Sequence, residues 1–109
     1  MGGLEEKRFF DALKDIAIRY KAYEEIEGDN WVRVLKAAVE GRYMEMGGSS
    51  RWWTRIKGLV LARYKNYIKE DRRYFYIRKE LIEHWLKEYE EMQKAAEEEA
   101  NKILKEAME

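Results

Sequence analysis

The chain contains a single histidine, His84, and no cysteine. It therefore has no thiolate nucleophile, no disulfide and no cysteine-based metal site. His84 stands in Glu80-Leu81-Ile82-Glu83-His84-Trp85, and Glu80, His84 and Glu88 follow one another at four-residue steps, which on a helix share one face. Carboxylate-bridged metal sites in helical bundles use Glu-x-x-His, but the residue three before His84 is Leu81. Helical metalloprotease sites need a second histidine. Ordinary i,i+4 pairing on a solvated face accounts for these side chains better. Gly47-Gly48-Ser49-Ser50 at a helix start offers backbone N–H groups to an anion, yet no P-loop lysine follows it. The expectation is a non-catalytic protein with no cofactor, no metal and no identifiable small-molecule substrate.

The residues that do form a pattern are basic. The 109-residue chain has no net charge, but its charge is unevenly placed. Residues 1–50 carry 8 basic and 10 acidic side chains, residues 51–79 carry 10 and 2, and residues 80–109 carry 4 and 10. A basic centre between two acidic ends points to a charged partner. On a helix starting at Arg51, the side opposite the apolar residues presents Arg51, Arg55, Lys65, Lys69, Arg72 and Arg73, with Gly58 and Ala62 between them. Small residues flanked by cations let a helix backbone come close to a phosphate strand while its charge is neutralised. Trp52, Trp53, Tyr64, Tyr67, Tyr74, Phe75 and Tyr76 interleave with these cations, as base-stacking residues would. Most of them fall on the apolar stripe and read as core; Tyr76 is phased onto the basic side.

The elements that would carry these residues read as helices. No apolar run approaches the roughly 20 residues of a transmembrane helix. The amino terminus, MGGLEEKRFF, lacks a secretory layout, so a cytoplasmic location is expected. Glu, Lys and Arg are abundant while Asn and Gln are scarce, a balance that fits a hyperthermophile, although loop prolines are missing. A first helix spans about 4–26, with Phe9, Leu13, Ile16, Tyr20 and Tyr23 as its stripe. Gly28 ends it and Asp29 caps the next. The second helix spans about 30–46, with Val32, Leu35, Val39 and Tyr43 inside. Ser49 or Ser50 caps a third. From Arg51 to Ala107 the apolar positions stay in helical phase, interrupted at Asp71 and Arg78, which favours one long helix of about 85 Å over a pair broken at Asp71 with that residue as N-cap.

Residues 46–56 resemble the turn and second helix of helix-turn-helix DNA-binding proteins. The resemblance covers about a tenth of the chain. It implies a DNA-facing role for Arg51, Trp52, Thr54 and Arg55. It departs from that pattern at three packing positions: Arg42 where an apolar residue is expected, Tyr43 where a small one is, and Gly48 where an apolar one is.

Together these readings predict an all-α single domain, with two shorter helices on the first half of a long C-terminal helix. Residues 1–75 form a helical core with a basic face, and residues 76–109 an acidic amphipathic helix. Trp31, Leu35, Val39, Trp53, Ile56, Val60, Tyr64 and Tyr67 are its expected core. The second half leaves a coiled-coil-like seam of Leu81, Ile82, Trp85, Tyr89, Met92, Ala96, Ala100 and Ile103, which calls for a homodimer. The expected function is nucleic-acid binding through Arg51, Trp52, Thr54, Arg55, Lys65, Lys69, Arg72 and Arg73. The alternative is a protein–protein assembly module with no nucleic-acid contact.

Overall fold

The structure is a computed structural model that describes residues 2–19, 26–27 and 30–108. It contains α1 (Gly2–Arg19), β1 (Ile26–Glu27), β2 (Trp31–Leu35), α2 (Lys36–Glu45), α3 (Trp53–Arg63), β3 (Ile68–Glu70), β4 (Tyr74–Arg78) and α4 (Lys79–Met108). The chain is mostly helical but not all-α: an antiparallel sheet of order β1-β2-β4-β3 replaces two stretches expected to be helix. The end of the expected first helix, with Tyr20 and Tyr23, and the Gly28–Asp29 cap lie outside the described residues.

Alternation explains β2 and β4. Val32 and Val34 are buried while Trp31, Arg33 and Leu35 point outward; Phe75 and Ile77 are buried while Tyr74, Tyr76 and Arg78 point outward. In the register Val32 lies opposite Ile77 and Val34 opposite Phe75, so the four apolar side chains line one face. Leu35 is therefore half exposed and Trp31 sits on the outer face, not in the core as helical phasing implied. Tyr67 is exposed and Tyr64 half buried, whereas Val39, Trp53, Ile56 and Val60 are core as expected.

The long third helix does not form. α3 stops at Arg63, the chain turns into a β-hairpin, and α4 begins at Lys79. Asp71 closes the hairpin and does not cap a helix. Its Oδ1 accepts the N–H groups of Arg73 (3.0 Å) and Tyr74 (2.9 Å), and its Oδ2 accepts the Tyr76 hydroxyl (2.9 Å). Those backbone hydrogen bonds hold the Asp71 carboxyl below its usual range.

α1 supplies the centre of the core. Phe9, Ala12, Leu13, Ile16 and Ala17 are buried at three- and four-residue steps. Phe9 meets Trp53 of α3 (ring centroids 5.2 Å apart), Phe75 of β4 (5.9 Å) and Tyr43 of α2 (6.4 Å), so one side chain joins three other elements. Phe10 stacks on Tyr64 and meets Trp85 of α4 edge-on. Ile82 and Trp85 are thereby buried within the chain itself and belong to its core, not to a seam between copies.

Candidate nucleic-acid interface

α2, the connection 46–52 and α3 make two helices joined by a seven-residue link, longer than the glycine–serine turn alone. α2 closes in a Schellman motif: Gly47 N–H donates to Met44 O (3.0 Å) and Gly48 N–H to Tyr43 O (2.9 Å). Gly47 takes a φ of 93°, the left-handed region that glycine enters without penalty. A Cβ on Gly48 would stand 2.5 Å from the Tyr43 ring. Two of the three departures from the helix-turn-helix pattern thus compensate each other: Tyr43 is large and fully buried because Gly48 has no side chain. The third, Arg42, sits at the rim, where it pairs with Asp15 (3.0 Å) and Glu45 (3.2 Å).

The connection is clamped from α1. Glu5 accepts a short hydrogen bond from the Tyr43 hydroxyl and another from Ser49 N–H (3.3 Å), while Arg8 donates to Gly47 O (3.1 Å). The Tyr43 bond holds the Glu5 carboxyl below its usual range, and burial, reinforced by Glu5, pushes the Tyr43 hydroxyl up to about 12. Neither Ser49 nor Ser50 caps α3 through its side chain; backbone bonds from Trp52 to Ser49 O (3.0 Å) and from Trp53 to Ser50 O (3.3 Å) lead into the helix.

The signs of these shifts set a pH window. Glu5, Glu70, Asp71 and Glu88 are all depressed in the folded chain, so their contribution is present above the ordinary carboxylate range and lost as pH falls through the folded values. Tyr43 is raised, so its contribution is full below pH 10 and lost as pH approaches about 12. Thermal melts should show a plateau near neutrality with losses below about pH 4.5 and above about pH 10. In Tyr43→Phe the alkaline loss should shrink; an unchanged alkaline limb would remove Tyr43 as its source.

α3 buries Trp53, Ile56 and Val60 and turns Thr54, Arg55, Gly58, Leu59 and Ala62 outward. Arg51 and Trp52 stand exposed in the connection just before it, and the Arg55 guanidinium lies 5.1 Å from the Trp52 ring centre. Nothing lies within 4 Å of a Cβ built on Gly58. Between Glu45 and Glu70 the chain has no acidic residue.

The remaining expected site residues leave this helix. Lys65 is exposed in the link to β3, and Arg72 and Arg73 are exposed in the hairpin turn. Lys69 stands on the outer sheet face, its ammonium 4.5 Å from the Trp31 ring centre, with Arg78 on the same ring at 4.7 Å. Tyr76 shares that sheet face and faces Arg33 in the register. The hairpin turn is nevertheless fixed beside the helices. Glu70 accepts from Lys36 at the start of α2 (2.8 Å) and Lys57 of α3 (3.3 Å), and Lys36 N–H donates to Arg73 O (2.8 Å). Burial alone would raise the Glu70 carboxyl, but the two lysines hold it below its usual range. Sequence reasoning missed this role for Lys36, Lys57 and Glu70 because it depends on a hairpin it did not foresee.

The Glu80, His84 and Glu88 series resolves into surface pairs. His84 Nε2 meets Glu88 at 3.0 Å, Lys14 meets the same carboxylate at 3.1 Å, and Glu80 lies toward Arg78 at 3.9 Å. Among the described residues there is no group of three metal-ligating side chains, and no helix is long and apolar enough to cross a membrane.

No family model, curated protein or solved structure matches the chain.

Proposed function

We propose that the chain binds duplex DNA, with α3 as the helix that enters the major groove and the β3–β4 hairpin as a basic wing beside it. The observation that carries this reading is the outer face of α3. Arg51, Thr54 and Arg55 are exposed around a flat strip of Gly58 and Ala62, residues 46–69 contain no acidic side chain, and the hairpin bearing Arg72 and Arg73 is tied alongside through Glu70 and Lys57. A helix-turn-helix presents the start of its second helix to base edges while flanking cations take phosphates. On this reading Arg55, which lies over the Trp52 ring, reads a base, and Arg51, Arg72 and Arg73 neutralise the backbone. Lys69, on the outer sheet face, lies apart from these residues.

Gly58 separates this reading from the assembly-module alternative. The space over Gly58 is open, so Gly58→Ala should raise stability by roughly 0.5–1 kcal/mol through helix propensity alone. Gly58→Glu should fold equally well but lower duplex affinity at least tenfold, because it puts bulk and negative charge where the strand must approach. Fluorescence anisotropy with a labelled duplex, alongside thermal melts, reads both. Unchanged affinity for Gly58→Glu would exclude α3 from the contact.

A further inference from the structure

The geometry points to a second copy of this chain as the occupant of the exposed stripe on α4, paired antiparallel so that each helix end reaches the groove beside the other copy's α1. This inference does not depend on the DNA reading. From Tyr89 to Met108 every residue of α4 is exposed, a projection of roughly 30 Å at 1.5 Å per residue. Along it lie large apolar side chains in water: Tyr89 (44% exposed), Met92 (68%), Ile103 (57%) and Leu104 (60%). Most helical stability in proteins comes from packing of an amphipathic face, and this projection's apolar face is left exposed among the described residues.

The stripe has a regular geometry. Trp85, Ala96 and Ala107 are separated by eleven residues, as are Tyr89 and Ala100, and Met92 and Ile103. Eleven residues make three turns at 3.67 per turn, close to the natural period, so the stripe runs nearly straight down the helix. Its upper part faces the body of the chain: Ile82 and Trp85 are buried there, and Tyr89 and Met92 line a groove of about 560 Å³ with Ile18 and Met46. Its lower part therefore continues on the side where the body sits.

That placement decides the orientation. Paired helices lie about 8–10 Å apart. In a parallel pair, both helical bodies would have to occupy the gap between the two α4 helices. In an antiparallel pair, each body lies beyond the end of the other's projection, and the gap stays free. A twofold axis between Ala96 and Ala100 sets Ala96 against the partner's Ala100, Met92 against the partner's Leu104, and Tyr89 against the partner's Ala107. Small side chains meet at the crossing, and large ones meet small or flexible ones away from it. The groove between Ile18, Met46 and Tyr89 then receives the end of the incoming helix. Covering both projections and both grooves buries on the order of 1,000 Å² or more in total, the size a specific interface needs.

The chain's lack of cysteine makes the test direct. Met92→Cys and Leu104→Cys, each prepared alone and then mixed, should oxidise to a 92–104 heterodimer in preference to either homodimer. Sedimentation should give a dimer for the unaltered chain and a monomer for Ala100→Asp/Ile103→Asp. Both of those positions are exposed, so the double variant should keep its circular dichroism below the melt. A monomer for the unaltered chain at about 100 µM, preferential 92–92 and 104–104 disulfides, or a dimer that survives the two aspartates would each overturn the arrangement. No nucleic acid enters these measurements, so their outcome and that of the DNA reading are read separately.

Discussion

Replacing Arg51, Arg55, Arg72 and Arg73 together by Ala is expected to weaken duplex-DNA binding by about 100-fold or more at low salt while leaving the melting temperature within a few degrees. All four side chains are exposed, so their loss removes charge without opening the fold. Each phosphate contact adds about 0.9 to the slope of log affinity against log salt. The quadruple variant should therefore bind more weakly and also with a flatter salt dependence, by two to three such increments on the account that Arg55 reads a base. Arg55→Ala alone should narrow the difference between preferred and random sequences, whereas Arg72→Ala should weaken all duplexes alike. A control quadruple on the α4 face, Lys87, Lys94, Lys102 and Lys105 to Ala, removes the same charge from the other end of the molecule. Equal losses in the two variants would mean attraction to net charge alone and no defined site.

Gly48→Ala is expected to be the most damaging glycine-to-alanine change among Gly3, Gly41, Gly47, Gly48 and Gly58, costing about 2–3 kcal/mol and lowering the melting temperature by roughly 10–20 °C. The added Cβ would stand 2.5 Å from a ring that is fully buried between Phe9 and Trp53 and tied through its hydroxyl to Glu5. Protein interiors are close-packed, so for a ring this buried either α2 or the connection must move. Tyr43→Leu costs stability by itself, through a cavity and the lost Glu5 bond. The double variant Gly48→Ala/Tyr43→Leu should nevertheless be less destabilised than the two single losses added, since the shorter side chain clears the added methyl. Strict additivity in urea denaturation would show that the two sites do not share the contact. Gly47→Ala, which strains only the left-handed backbone, should cost about 1–2 kcal/mol and show no such coupling to Tyr43.

The sequence made the helical part of this fold legible where one face is buried over several turns. Phe9, Leu13 and Ile16 in α1, and Trp53, Ile56 and Val60 in α3, sit inside where their spacing placed them. The sheet was hidden for two physical reasons. In β4 the run Tyr74-Phe75-Tyr76-Ile77 is apolar or amphipathic at every position, so its two-residue alternation leaves no trace, and Tyr67, Tyr74 and Leu81 fall seven apart, which mimics helical phase across a hairpin. The turn also lacks the usual glycine, because the Asp71 side chain supplies the hydrogen bonds. The β-branched and aromatic makeup of 74–77 and the Val-x-Val step of 32–34 were the available signals.

The site was legible in part for the same reason. Arg51, Trp52, Thr54 and Arg55 hold their expected exposed places around the start of α3 because they precede the helix break. Lys65, Lys69, Arg72 and Arg73 were aligned on a continuous helix that the hairpin replaces, and only the turn arginines return beside α3, through Glu70. Tyr43 and Gly48 looked like defects in a helix-turn-helix pattern. Each is the reason the other is tolerated.

The most direct test of the central claim is the affinity of the unaltered protein for a random-sequence duplex of about 25 base pairs, titrated between about 50 and 200 mM salt. Binding should be saturable at low salt, with a linear fall of log affinity with log salt whose slope is near −3, from the three phosphate contacts of Arg51, Arg72 and Arg73 at about 0.9 each. The absence of binding at about 50 mM salt, or an affinity that salt leaves unchanged, would contradict it and leave the basic surface to a protein partner.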